Sequence, residues 1–322
     1  MPPLPPPSDP PTPGNAGEGP QPGPPSPRGV PAALAAVAER KRSEVREAQK
    51  RMTFAELEAL VAQADEPRNF FAAVTKRPPR RGGDVAVIAE IARLDASGRV
   101  LRPEFANGGG AKPGEGGAGG GYDVAAIARR YDAGGAAAIA VATDVEAGGS
   151  LADVEVAREA TGLPVLRRDV IVDPWQLWES RAAGADAVLL IADLLTEGEL
   201  VDLLILSQQL RLTAIIEVRS MEALLRVRPH VGFPHRAYGL LGINNREMPG
   251  AASPEGDVAG TLRLLDMVDD LTVLVSEGGV RTREDVDRLV RRGVRIVLVG
   301  AEILRREDPE AAIAELRGPV VR

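Results

Sequence analysis

With 322 residues, no cysteine and only two histidines, the chain excludes disulfides, thiolate catalysis and metal centres built on cysteine or histidine clusters. Its net charge of -7 argues against a nucleic-acid surface, and no apolar run approaches the roughly 20 residues a membrane span needs. The opening MPPLPPPSDPP lacks the basic and apolar regions of a secretory signal, so the expected location is cytoplasmic.

Residues 1–31 hold 14 of the 27 prolines and almost no bulky apolar side chain. They read as a disordered tail of partly polyproline-II character. Residues 32–82 read as an N-terminal helical extension. An apolar face and then mixed charges run up to Met52. Thr53 precedes FAELEALVAQA with Glu56 three residues on, the spacing of a capping box. Phe70 and Phe71, two of only five phenylalanines, point to docking on the domain that follows.

A rhythm then begins. Apolar strand candidates recur at Val85–Ile91, Ala136–Val141, Pro164–Leu166, Ala187–Ile191, Ala214–Val218, Gly239–Ile243, Val273–Val275 and Ile296–Val299. Between and after them lie amphipathic candidates at Val124–Tyr131, Leu151–Thr161, Pro174–Ala182, Glu197–Leu210, Met221–Arg226, Ala259–Val268, Arg283–Arg292 and Pro309–Leu316. Such alternation means parallel strands joined by crossover helices. Eight repeats over residues 83–318 predict an α/β fold, a (β/α)8 TIM barrel, rather than an open sheet.

Two loops stand out. Residues 107–121 contain nine glycines in 15 positions, with Lys112 as the only basic group. This insertion follows the first strand and so falls on the catalytic face, where its composition predicts flexibility. Arg228–Ala237 leads from a helix into a strand, which places it on the opposite face. Both histidines, His230 and His235, lie there, so surface or packing roles are expected for them.

The residues ending each strand converge on one pocket in a barrel. Here they are Glu90, Thr143 and Asp144, Arg168 and Asp169, Asp193, Glu217 and Arg219, Asn244 and Arg246, Glu277, and Gly300. Glu90, Glu217 and Glu277 each close an apolar run. They either form buried pairs with Arg168, Arg219 or Arg246, or line a site for acid–base work. Ser276–Val280 and Val297–Leu304 put glycines and a short helix after the last two strands, where barrels commonly hold phosphate.

Several stretches resemble the indole-3-glycerol-phosphate synthase family. They are VIAEI (Val87–Ile91), GGAAAIAVATD (Gly134–Asp144), LPVLRRDVIVDPWQ (Leu163–Gln176), GINNR (Gly242–Arg246), VSEGGVRTREDV (Val275–Val286) and LVGAEIL (Leu298–Leu304). The resemblance implies ring closure of 1-(2-carboxyphenylamino)-1-deoxyribulose 5-phosphate, a small phosphorylated substrate, with loss of CO2 and water. It implies no cofactor and no metal. Carried over by position, Glu90, Arg168, Glu217, Asn244 and Glu277 are the implied catalytic set. Arg246, Gly279, Gly300 and Ala301 are the implied substrate and phosphate contacts.

The chain departs from the family pattern at informative places. The family's strand-1 lysine is Ala92, its strand-3 lysine is Arg168, and its next strand-1 serine is Asp95. Gly278 stands where the family has serine, and Val145, Glu146 and Ala147 replace aromatic residues. Three readings stay open on sequence: a synthase with an altered site, a barrel re-purposed for a less anionic substrate, and a non-catalytic paralogue that binds a ligand or a tryptophan-pathway enzyme.

Overall fold

The computed structural model describes residues 32–76, 84–95, 97–102, 122–246 and 256–318. The tail 1–31 and the glycine insertion 107–121 with Lys112 lie outside the described residues.

Eight parallel strands close on themselves in sequence order: β1 (Ala86–Ile91), β2 (Ala138–Ala142), β3 (Val165–Arg168), β4 (Ala187–Ile191), β5 (Thr213–Val218), β6 (Gly239–Asn244), β7 (Leu274–Glu277) and β8 (Ile296–Val299), with β8 pairing back on β1. Strands buried on both faces can carry unbroken apolar runs, which is why β1, β4 and β8 were readable from composition alone. Strands β3 and β7 run further than their apolar stretches. Ala142 pairs with Arg168, and Asn244 pairs with Glu277, so the polar residues still belong to the ladder. Ladder hydrogen bonds depend on the backbone and are indifferent to side-chain polarity.

The helices lie outside the barrel. The segment expected at Ala259–Val268 is shorter than anticipated: it is helical over Ala259–Leu264 and then tightens into a 3-10 turn at Leu265–Met267. A four-residue helix, Ala301–Leu304, follows β8 ahead of the last helix, Pro309–Arg317.

Among the described residues, three helices precede the barrel: α1 (Ala32–Arg51), α2 (Phe54–Gln63) and α3 (Phe70–Thr75). Thr53 and Glu56 form the expected reciprocal cap at the start of α2. Phe70 and Val74 are wholly buried, so α3 does dock. Buried Asp186, just before β4, ties this region to the barrel floor. It accepts from the backbone N–H of Arg68 at 2.6 Å and of Val165 at 2.7 Å, and from Arg158 Nη1 at 2.6 Å.

Helix α1 instead reaches the catalytic end. Lys41, only 2% exposed, places Nζ 2.8 Å from Asp169 and 3.2 Å from Asp144, while Arg40 pairs with Asp144 at 2.9 Å. Both aspartates lie just beyond the ends of β2 and β3, so α1 is bolted to that rim by charge.

Candidate active site

The inward residues at the tops of β1, β3, β5, β6 and β7 form a compact polar cluster. Glu90 closes β1 and is 3% exposed. Its Oε1 lies 2.9 Å from Arg168 Nη1 and its Oε2 3.5 Å from Arg246 Nη2. A Cβ added at Gly300 would run into Glu90 Oε2, so only glycine at this point of the β8 loop leaves the carboxylate its place. Behind the strand, Tyr131 donates its hydroxyl to the Glu90 carbonyl oxygen at 2.9 Å.

Glu217, near the end of β5, is fully buried. Arg219 directs both Nε and Nη2 to its Oε1 at 2.9 Å, and Oε2 has no hydrogen-bond partner. Burial favours its neutral form, but the charges of Arg219 and Arg168 outweigh that and hold Glu217 below the usual carboxylate range. Asn244 ends β6 opposite Glu277. Its Oδ1 accepts from the Arg246 N–H at 2.9 Å, and its Nδ2 is buried and unpartnered.

Glu277 is the odd member. It is 1% exposed, and neither carboxyl oxygen has a partner. Its Oε1 lies against Gly242, where any Cβ would collide with it. Gly242 is the register partner of Glu217. Glu277 therefore folds back into the barrel toward the Glu217 layer. Burial and the charge of Glu217 push Glu277 up to about 8, against the pull of Arg168 and Arg246. Arg168 faces all three glutamates. Burial opposes its charge, but Glu90, Glu217 and Glu277 more than restore it, and its Nε is unpartnered.

A second pocket adjoins this cluster. Gly278, Gly279, Gly300, Ala301, Arg246 and Arg281 line it, together with Asp95 and Glu302. Asp95 does face the place where a phosphate is expected. It is not a loose charge, however. Its Oδ1 accepts from the N–H groups of Ser97 and Arg99 at 2.9 and 3.0 Å and from Ser97 Oγ at 2.5 Å, and its Oδ2 takes Arg305 Nη2 at 2.8 Å. Against its burial, the donors of Ser97 and Arg99 and the charge of Arg99 hold it at about 2. Gly278 has φ +69, and a Cβ there would lie 2.7 Å from Arg246 Cγ. The missing side chain is what lets Arg246 lean across to Glu90.

Some strand-end residues expected in the pocket are elsewhere. Thr143 and Asp169 face outward: Asp169 Oδ2 accepts from Thr143 Oγ1 at 2.7 Å and Arg167 Nη2 at 2.9 Å, and its Oδ1 meets Lys41. Asp144 serves α1 as well. The pleat explains this, since Arg168 points in and its neighbours Arg167 and Asp169 must point out. Asp193 lies 4.0 Å from Arg226, and His230 meets Glu197 at 2.9 Å near the surface. Asn245 is a further residue that strand-end position alone does not single out. It is 8% exposed and its Nδ2 donates to Ser276 Oγ and to the carbonyls of Glu277 and Gly278 at 3.0–3.1 Å, which fixes the loop that carries the glycine pair. The doubled asparagine in GINNR was the available signal.

The indole-3-glycerol phosphate synthase family model matches residues 34–316. The chain belongs to this family. An indole-3-glycerol phosphate synthase from Acidithiobacillus ferrooxidans is 38% identical over 277 residues, covering 86% of this chain and 95% of the relative. "Indole-3-glycerol phosphate synthase 2" of Ralstonia nicotianae is 35% identical, over 86% of this chain and 93% of that protein. Among solved structures, a mutant tryptophan synthase α-subunit from Pyrococcus furiosus superposes with a TM-score of 0.50 at 14% identity, covering 73% of this chain and 98% of that one. That likeness concerns the barrel fold alone. Ala92 is a buried methyl, and among the described residues the cations paired with Glu90 and Glu217 are arginines.

Proposed function

We propose that this chain closes 1-(2-carboxyphenylamino)-1-deoxyribulose 5-phosphate to indole-3-glycerol phosphate, with loss of CO2 and water, as a step of tryptophan biosynthesis in the cytoplasm. One observation carries the reading. Arg168 Nε, Glu217 Oε2, Asn244 Nδ2 and both oxygens of Glu277 are buried without partners at the catalytic end. Buried polar groups are ordinarily satisfied. A cluster of five that are not, at the face where barrels do chemistry, suits a substrate with its own charged and hydroxyl groups.

The roles follow from charge and geometry. Arg168 holds the benzoate carboxylate, and its planar fork suits two parallel hydrogen bonds. Glu90 aims Arg168 and Arg246. Glu217, kept ionised, is the base that takes a proton from carbon in the dehydration. Asn244 orients a substrate oxygen. Gly279, Gly300 and Ala301 receive the phosphate beside Arg246. The helical extension 32–82 and the barrel 83–318 act together. No helix among the described residues is long and apolar enough to cross a membrane.

The test follows product fluorescence with purified protein and the linear substrate. Turnover is expected in the wild type. Glu217→Gln should lower kcat at least 100-fold, since a positioned base contributes about 10²–10⁴. Arg168→Met should raise KM and lower kcat together. Absence of product from the wild type would reject the reading.

A further inference from the structure

Ring closure has a requirement that the assigned residues leave unmet. As the aromatic carbon attacks the substrate's carbonyl carbon, the carbonyl oxygen must gain a proton. An acid for this step must hold a transferable proton near neutral pH and sit in the pocket. Arginines cannot serve, because a guanidinium does not deprotonate in proteins. Lys41 is engaged on the outer side with Asp169 and Asp144. Ala92 has nothing to give. Among the described residues three carboxyls point inward: Glu90 is engaged by two guanidiniums and Glu217 by Arg219. Of these three, Glu277 alone has both oxygens unengaged.

We propose that Glu277 is the general acid of this chain and gives its proton to the substrate's carbonyl oxygen as the ring closes. The assignment rests on the synthase reading above. Each element around Glu277 contributes to the arrangement: Glu90 from β1, Arg168 from β3, Glu217 with Arg219 from β5, and Asn244 with Arg246 from β6. Register puts Asn244 directly opposite it, and Gly242 gives its carboxyl room to turn inward. Burial beside the anionic Glu217 keeps the proton on Glu277 at neutral pH. Two neighbouring carboxyls pushed apart in this way divide into an acid and a base.

The protons balance. A carbon–carbon bond forms to the carbonyl carbon, and its oxygen becomes a hydroxyl with the proton from Glu277. CO2 then leaves, and its bonding pair returns to the aromatic ring. Glu217 removes a proton from the adjacent CH2 carbon as the new double bond forms, and that proton departs with the hydroxyl as water. The one proton consumed per turnover, starting from the substrate carboxylate, is replaced on Glu277 from solvent. Arg168 and Arg246 stabilise the Glu277 carboxylate in the interval.

The test compares full-length wild type, Glu277→Gln and Glu277→Asp across pH. Wild-type kcat should fall as pH rises through about 8, the value to which Glu277 is pushed. Glu277→Gln should lose at least 100-fold in kcat with KM within about threefold, as expected for loss of an acid acting only in the transition state. It should also lose that alkaline limb. Glu277→Asp should recover about tenfold or more over the glutamine variant, with the limb restored. Circular dichroism and an unchanged or higher Tm show that the glutamine variant is folded, since glutamine fills the same space without a charge. Glu277→Gln with kcat within threefold of wild type and an unaltered alkaline limb would overturn the proposal and leave the synthase reading intact. A wild type without product at any pH fails the reading itself, and the acid assignment falls with it.

Discussion

Asp95 shows how far a single residue's meaning depends on its surroundings. As a letter in the sequence it is a negative charge in a phosphate pocket. In the fold it is the hub of its loop, bound to Ser97, Arg99 and Arg305. Replacing it by serine removes one charge from the pocket wall and releases Arg305 from it. Asp95→Ser should therefore tighten inhibition by inorganic phosphate by about tenfold, on the order of 1.4 kcal/mol. It should also cost about 1 kcal/mol of stability through the lost loop hydrogen bonds. Competition kinetics and denaturant titration measure the two effects separately. Unchanged phosphate inhibition would mean that the carboxylate does not influence the pocket.

At the scale of elements, the capping box of α2 and most strand positions were legible because they depend on neighbours within a few residues. The sorting of polar strand ends was less so. Thr143, Asp144 and Asp169 had the right place along the chain but the wrong side of the strand or an α1 partner. Nothing local marks Lys41, because its carboxylate partners come from residues 144 and 169. Burial makes this contact important. Lys41→Met would leave Asp169 with Arg167 as its remaining cation and loosen α1 from the rim. Removing one partner of a buried pair typically costs about 3–5 kcal/mol. Arg167 and Arg40 reduce that here, to about 2–3 kcal/mol. The prediction is a lower Tm and faster proteolytic cleavage within α1. A variant equal to wild type in both would show that α1 is held by its apolar face alone.

The whole molecule should have a stability maximum on the acid side of neutrality. Asp169 is held at about 2: burial favours its neutral form, but Arg167, Lys41 and Thr143 outweigh it. Asp144 and Glu217 are also lowered, by arginine and lysine charges acting against burial. Groups with depressed folded pKa values contribute stability above the unfolded value, and that contribution is lost as pH falls from about 4 toward 2. Glu277 works in the other direction. Its folded value of about 8 exceeds the ordinary 4.5, so its contribution is greatest below about 4.5 and declines as pH rises toward 8. Tm should thus peak near pH 5. Glu277→Gln should flatten the decline from pH 5 to 8 by about 1 kcal/mol or more. Parallel curves for wild type and this variant would show Glu277 to be ionised throughout.

The repeat of eight apolar runs and eight amphipathic ones determined the barrel, because buried parallel strands and crossover helices each impose a periodicity that survives in one dimension. The motifs around Glu90, Asn244 and Glu277 likewise placed the chain in its family. Tertiary structure alone decided which charges meet. It set Arg168 and Arg246 on Glu90, Arg219 on Glu217, Lys41 on Asp169, and no partner on Glu277. The physical reason is that Coulombic and hydrogen-bond energies depend on separations of a few ångströms between side chains as far apart in sequence as Glu90 and Arg246. A local pattern can place a glutamate at the end of a strand, but closure of the barrel determines whether that glutamate holds its proton.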